Sequence, residues 1–300
     1  MQDRTTEGWI AGLIGMAIFS GSMPATKLAI AGFDPLFLTA ARAALAGLLG
    51  ALCLWRCRAD IPAPRDLLAL AVVALCVVLG FPLLSALALQ AMPSTRSILF
   101  LGLLPLATAS FGVLRGGERP SPAFWAWSVA GAALVCGFAA RRGGAGSYGA
   151  DLTMILSVII CGLGYAEGGR LSRTMGGLRV ICWALVVALP VSVAGGVITA
   201  PAHWAGIAPS AWLGLAYVAL FSMFLGFIFW YRGLALGGIA AVGQLQLLQP
   251  FLAFFLAYLV LHEPVSGQLV LTALGVVFCV VGARHFSPAL RGSAPRPAKG

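Results

Sequence analysis

Two charged side chains lie where charge is expensive. Glu167 sits inside an apolar run, with Arg170 and Arg173 three and six residues further on. A carboxylate in hydrocarbon is costly and usually marks a functional path, so Glu167 is a candidate for holding a proton or a substrate amine. The plainer reading pairs it with Arg170 or Arg173 at the membrane rim. Arg42 interrupts another apolar run, seven residues beyond Pro35, or about 10 Å deep at 1.5 Å per residue. A long cation at that depth can snorkel outward or cap carbonyls of a broken neighbour.

Other chemistry is poorly supplied. His203, His262 and His285 fall in loops or at the end of an apolar run, and no H-E-x-x-H occurs. There is no G-x-x-x-x-G-K-[ST], and Gly162-Leu163-Gly164 with Gly168 misses the G-x-G-x-x-G spacing. Cys53 and Cys57 are one helical turn apart without His or Cys partners nearby, while Cys76, Cys136, Cys161, Cys182 and Cys279 lie in apolar runs. Neither a metal site nor a disulfide framework is expected. No catalytic residue, metal or cofactor is expected, and the chain does not read as an enzyme.

What remains is a path of neutral groups at breaks in apolar runs. Ser20, Ser22 and Met23 flank Gly21 and precede Pro24. Phe81 and Ser85 share one helical face beside Gly80 and Pro82, and Ser97 and Leu101 are four apart ahead of Pro105. Tyr165 follows Gly164, Tyr217, Phe221 and Phe224 form an i, i+4, i+7 stripe, and Gln246 precedes Pro250. Aromatic and Met side chains offer flat, polarizable surface. Hydroxyls, an amide and backbone groups freed by Gly and Pro can hold the polar ends of a small solute without fixed charge. Tyr217, Phe221 and Phe224 could equally face lipid or pack between helices.

Composition says what must position these groups. The chain is 60% hydrophobic with 9% charged residues, against roughly 25% in a soluble domain, and its mean hydropathy is +0.98. Its 19 basic and 9 acidic side chains cannot clothe 300 residues in a polar shell, which excludes a soluble globular domain and a disordered chain. A polytopic membrane protein is expected, with the bilayer as its environment. The apolar-out, polar-in alternation of barrel strands is missing, so the fold class is all-α. Hydropathy places ten helices at roughly 9–30, 35–55, 67–90, 94–114, 121–140, 151–171, 178–199, 211–231, 239–261 and 265–285. The run from Trp9 to Ile30 is too long for a cleaved signal core, and the tail 287–300 is basic, Pro-containing and expected to be disordered.

The net charge of +10 does not point to nucleic acid, because Lys and Arg are scattered singly or in pairs between apolar runs. They read as topology signals. With the N-terminus inside, 14 of the 19 fall on the cytoplasmic side, against Arg141, Arg142, Lys27 and Arg96 outside, so both termini are expected in the cytoplasm. All eight Trp fall in loops or near helix ends, as an interfacial belt would place them.

The chain also repeats itself. Pro105 precedes Glu118 by 13 residues and Pro250 precedes Glu263 by 13, an offset of 145 between the pairs. Leu79-Gly80-Phe81 matches Leu225-Gly226-Phe227 at 146, and Gly21 with Lys27-Leu28 matches Gly164 with Arg170-Leu171 at 143. Two halves of five helices, residues 1–142 and 143–286, follow. An odd number of spans turns the second half over, giving a 5+5 inverted repeat suited to alternating access. Corresponding breaks at Gly21–Pro24 and Gly164, at Pro82 and Gly226, and at Pro105 and Pro250 would then line and gate a midplane site. A channel is the alternative, but neither a charged ring nor a filter-like sequence is visible.

Phe19–Leu36, Leu101–Pro122 and Leu245–Pro264 resemble the EamA-type members of the drug/metabolite transporter superfamily, with the aromatic amino-acid exporter (YddG-type) branch the most similar in size and outline. The resemblance implies an inner-membrane carrier with a cavity formed by spans 1, 3, 4, 6, 8 and 9, the second span being peripheral, so that a structural role is expected for Arg42. The first span lacks the acid that small multidrug antiporters of that superfamily use. Export of aromatic or neutral amino acids and related metabolites, without ATP or strict proton coupling and by a monomer, is therefore expected. A proton-coupled drug or metabolite exporter is the alternative.

Overall fold

The computed structural model describes residues 2–116, 121–142, 148–237 and 239–285. Glu118 and the tail 287–300 lie outside the described residues. The described residues are helical, without strands, and seven stretches are long and apolar enough to cross a membrane. These are Thr6–Ala29, Pro35–Arg56, Pro64–Ala91, Ser94–Leu114, Tyr148–Met175, Gly177–Ile198 and Pro209–Gly237. Shorter apolar helices cover Leu245–Leu261 and Gly267–Cys279.

The helices are α1 (Gln2–Ser20), α2 (Ser22–Ala29), α3 (Pro35–Arg56), α4 (Pro64–Val73), α5 (Phe81–Ala91), α6 (Ser94–Leu101), α7 (Leu104–Gly116) and α8 (Pro122–Arg142). Then follow α9 (Tyr148–Met175), α10 (Gly177–Ile198), α11 (Pro209–Ala216), α12 (Phe227–Gly237), α13 (Ile239–Gly243), α14 (Gln249–Leu261) and α15 (Gly267–His285). Their starts have local causes. The Asp34 carboxylate accepts the Leu36 N–H at 2.8 Å ahead of α3, and Pro35, Pro64, Pro122 and Pro209 open helices where a missing N–H costs nothing. Gly176, at φ +83°, supplies the reversal between α9 and α10.

Long helices are interrupted at corresponding places. Between α4 and α5 the backbone forms a π-helical segment, Ala74–Gly80, and between α11 and α12 another, Tyr217–Gly226. Each ends on the glycine of the repeated Leu-Gly-Phe. The α6–α7 break at Gly102–Leu103 matches a 3₁₀ turn, Gln244–Leu247, ahead of α14. Pro105 and Pro250 are thus second residues of new helices rather than kinks inside continuous ones, since each N–H would already be unpaired there. The expected break at Gly164 is absent: α9 runs unbroken. Its glycines serve close packing instead, since a Cβ on Gly162 would lie 2.6 Å from the Ala107 Cβ and one on Gly164 2.8 Å from the Cys76 Cβ.

Packing brings together helices far apart in the chain. α1 lies along α12 as α5 lies along α9; α3 packs on α10, and α8 on α15. Membrane helices gain from van der Waals contact, so small residues line their closest approaches. Gly8, Gly12 and Gly15 form such a stripe on α1, opposite Gly233 and Gly237 of α12.

The two ends of the bundle are tied differently. At one, Lys27 Nζ donates to the carbonyls of Leu89 (2.6 Å) and Met92 (2.9 Å), closing the end of α5. There Arg96 also grips Asp151 with two bonds, Nε–Oδ1 at 2.9 Å and Nη2–Oδ2 at 2.6 Å, largely shielded from water. The opposite end has the exposed pairs Arg232–Glu7 and Arg179–Asp60, of the kind that stabilises little.

Candidate functional site

The breaks converge on one small cavity. It is lined by Phe19, Ser22 and Met23 beside the α1–α2 break, Val77 and Phe81 beside the first π segment, and Leu101 and Leu104 across the α6–α7 break. Tyr165 of α9, Ser222 and Phe227 at the second π segment, Gln249 at the start of α14 and Arg42 of α3 complete it. The free volume is about 20 Å³, room for a water molecule, so a solute enters only if the helices part.

One wall is aromatic. Phe19 meets Phe227 edge-on at 5.0 Å between ring centroids, and Tyr165 stands 5.8 Å from Phe227 and 5.6 Å from Trp230. Trp230 is fully buried, and its indole N–H has no partner among the described residues. This corrects the belt assignment for that tryptophan: the span expected to end at 231 runs on to Gly237, which leaves Trp230 inside the bundle. The other wall is polar. Ser22 Oγ and Ser222 Oγ share a hydrogen bond of 2.8 Å between residues 200 apart in sequence.

Arg42 is the main departure from the sequence reading. It neither snorkels nor stays peripheral: it is 4% exposed and lines the cavity. Its Nη2 reaches Ser222 Oγ at 3.5 Å, the limit of a hydrogen bond, and Nε has no partner among the described residues. The sequence signal was present, a lone cation in a long apolar span. Only packing shows that α3 turns it inward.

The expected lining residues divide. Ser22, Met23, Phe81, Leu101 and Tyr165 line the cavity. Ser20, Ser85 and Ser97 are buried but spend their hydroxyls on nearby carbonyls, those of Met16, Pro82 and Ser94. Tyr217 donates to the Ile18 carbonyl at 2.7 Å, at the α1–α2 break, and stacks on Phe221, which is exposed on the outside of the bundle. Phe224 packs against the apolar core. Only part of the stripe holds: Tyr217 and Phe221 still share a face, but i→i+5 bonding widens the turn and carries Phe224, at i+7, away from it. Gln246 is buried with no partner among the described residues, yet it is Gln249 that reaches the cavity. The intervening 3₁₀ turn shifts the register.

Of the gating positions, Gly21 gives room to Tyr217, whose Cζ would lie 2.7 Å from a Cβ there. Pro24 lies in the first turn of α2 and Pro82 in that of α5. Glu167 is fully buried outside the cavity lining, and its Oε1 accepts from Arg170 Nη2 at 2.5 Å.

The EamA-like transporter family matches residues 6–139 and matches again over 149–285. The chain is 57% identical over 285 residues to the uncharacterized transporter YdeK of Bacillus subtilis (strain 168), covering 95% of this chain and 99% of that protein. A crystal structure of a protein 19% identical superposes with a TM-score of 0.69 over 95% of this chain and 100% of the other, a likeness of fold. Two family matches spanning nearly all the chain and a full-length transporter relative agree: the chain belongs to the EamA-like transporter family.

Proposed function

We propose that this transporter is an alternating-access carrier that exports aromatic or neutral amino acids and related metabolites across the inner membrane, without ATP or strict proton coupling. Its ten spans form a 5+5 inverted repeat, residues 1–142 and 143–286, with the basic tail 287–300 and both termini in the cytoplasm. It works as a monomer in the bilayer. One observation carries the reading: corresponding π segments and broken helices of both halves meet at a single closed cavity with one aromatic and one polar wall. Repeated broken helices around a shared site are the usual framework of alternating access. The twofold family match supports the repeat.

Counterflow in proteoliposomes tests this. Labelled phenylalanine or tryptophan should enter saturably, accelerate when unlabelled substrate is inside, and continue when the proton gradient is collapsed. Non-saturating flux without counterflow would mean a channel. A proton-coupled drug or metabolite exporter is the second reading, favoured by the burial of Glu167; transport abolished by an uncoupler would select it.

A further inference from the structure

We propose that Arg42 is the anchor for a carboxylate on the transported solute, so that the cavity selects ring-bearing carboxylates, amino acids or simple acids, over the corresponding amides and amines. The inference rests on reading this cavity as the solute site.

Arg42 is nine-tenths buried and belongs to the cavity lining, about a third of the way across a hydrocarbon core of roughly 30 Å. A guanidinium brought so far from water needs compensation. Among the described residues it has no salt bridge, one hydrogen bond at the distance limit, and an unpaired Nε. The other buried ionic groups are well partnered, as Asp151 is by Arg96 and Glu167 by Arg170. A cation left under-bonded beside a cavity is set to receive an anion from outside the chain. The planar guanidinium matches a carboxylate with two parallel N–H···O bonds.

The surroundings fit the rest of such a solute. Phe19, Tyr165 and Phe227 offer ring faces and edges. Ser22, Ser222 and Gln249 bring hydroxyl and amide oxygens to the same cavity, where an α-ammonium would find acceptors. Among the described residues no acidic side chain lines it, so a lone cation would meet the Arg42 charge there.

The test is thermal unfolding of the purified full-length chain with 3-phenylpropanoate, phenylalanine, 3-phenylpropanamide and phenethylamine. The two carboxylates should raise the unfolding temperature saturably, whereas the amide and the amine should not. Arg42→Gln should weaken carboxylate binding about 10- to 100-fold, the loss of a charge-assisted pair. Arg42→Lys should fall between, and Arg56→Gln, at the exposed end of the same helix, should bind as the unaltered chain does. Equal binding of the amide, no binding of either carboxylate, or undiminished binding by Arg42→Gln overturns the proposal. The ligand series on the unaltered chain decides the matter even if the variants fail to fold. Counterflow separates the two readings: counterflow without carboxylate preference removes the anchor and leaves the carrier, while carboxylate-specific binding without counterflow does the reverse.

Discussion

The carboxylate of Glu263 sits on the first turn of the helix that begins at Ser94. It accepts hydrogen bonds from the Ser94 N–H (2.9 Å), the Ser94 hydroxyl (2.9 Å) and the Thr95 N–H (2.8 Å). A helix start presents unpaired N–H groups and a partial positive charge, so this is a helix cap delivered from a distant segment. His262 makes the delivery possible: its left-handed conformation, φ +53°, ends α14 and turns the chain toward α6. The acidic member of the Pro250–Glu263 pair is therefore a latch holding α14 to α6.

Opening the latch should loosen that end of the bundle. Glu263→Ala should lower stability by about 1–3 kcal/mol, the cost of stranding capped N–H groups. Hydrogen exchange at the Ser94 and Thr95 amides should accelerate about 10- to 100-fold, while amides near Arg232, at the opposite end, keep their protection. Unchanged protection at Ser94 and Thr95 would show that the contact holds nothing.

The glycine stripe gives a prediction about packing alone. A Cβ on Gly233 would lie 2.7 Å from the Gly12 nitrogen and 2.8 Å from the Gly12 Cα. These are backbone atoms, which cannot rotate away. Gly233→Ala should therefore push α12 from α1 and cost about 1–3 kcal/mol, seen as a lower unfolding temperature. A variant as stable as the parent would mean that the two helices part without penalty.

Pro105 and Pro250 begin helices after breaks, so replacing either should cost little stability. The replacement does restore an N–H that lets a continuous helix form across the break. Pro105→Ala and Pro250→Ala should each slow counterflow by about tenfold, near 1.4 kcal/mol of barrier, with substrate affinity within about twofold. Both rates unchanged would make the prolines packing features.

How much of this was legible in the sequence depends on which force set each feature. The start at Pro35 was readable because proline marks it locally, whereas the helices read from 67 and 211 begin at Pro64 and Pro209, whose local signal was passed over. The paired interruptions at Gly80 with Gly226 and Pro105 with Pro250 were readable too, because backbone chemistry leaves a mark in residue type there. Side-chain direction was not. Phe224 left the face that Tyr217 and Phe221 share because a π segment is invisible to a 3.6-residue period. Gly164 was read as a break, but its missing side chain serves a neighbour. Arg42 was given a structural role because the resemblance makes the second span peripheral, and neither that nor the cost of a buried charge says which way a helix is turned.

Topology can be checked without a substrate. In a chain lacking native cysteines, a single cysteine placed between Arg142 and Tyr148 should react with an impermeant thiol reagent from outside the cell. One placed between Arg58 and Pro64 should react only after the membrane is opened. The reverse pattern would sink the orientation inferred from 14 inward basic residues against 4.

Substitution of Glu167 separates the uncoupled from the proton-coupled reading of transport. The Glu167 carboxylate is buried and its partner Arg170 is half exposed, so once the carboxyl is neutral Arg170 can turn to water without stranding a buried charge. Glutamine in its place keeps an oxygen that Arg170 can use, and stability should change by less than about 1 kcal/mol. If export is uncoupled, Glu167→Gln should retain phenylalanine counterflow within about twofold, and an uncoupler should affect neither chain. If Glu167 carries the proton, the uncoupler abolishes uphill transport in the parent, and the variant exchanges substrate but cannot concentrate it. Loss of both exchange and uphill transport at unchanged stability would place the carboxylate on the solute's own path, against the cavity geometry, which leaves it outside the lining.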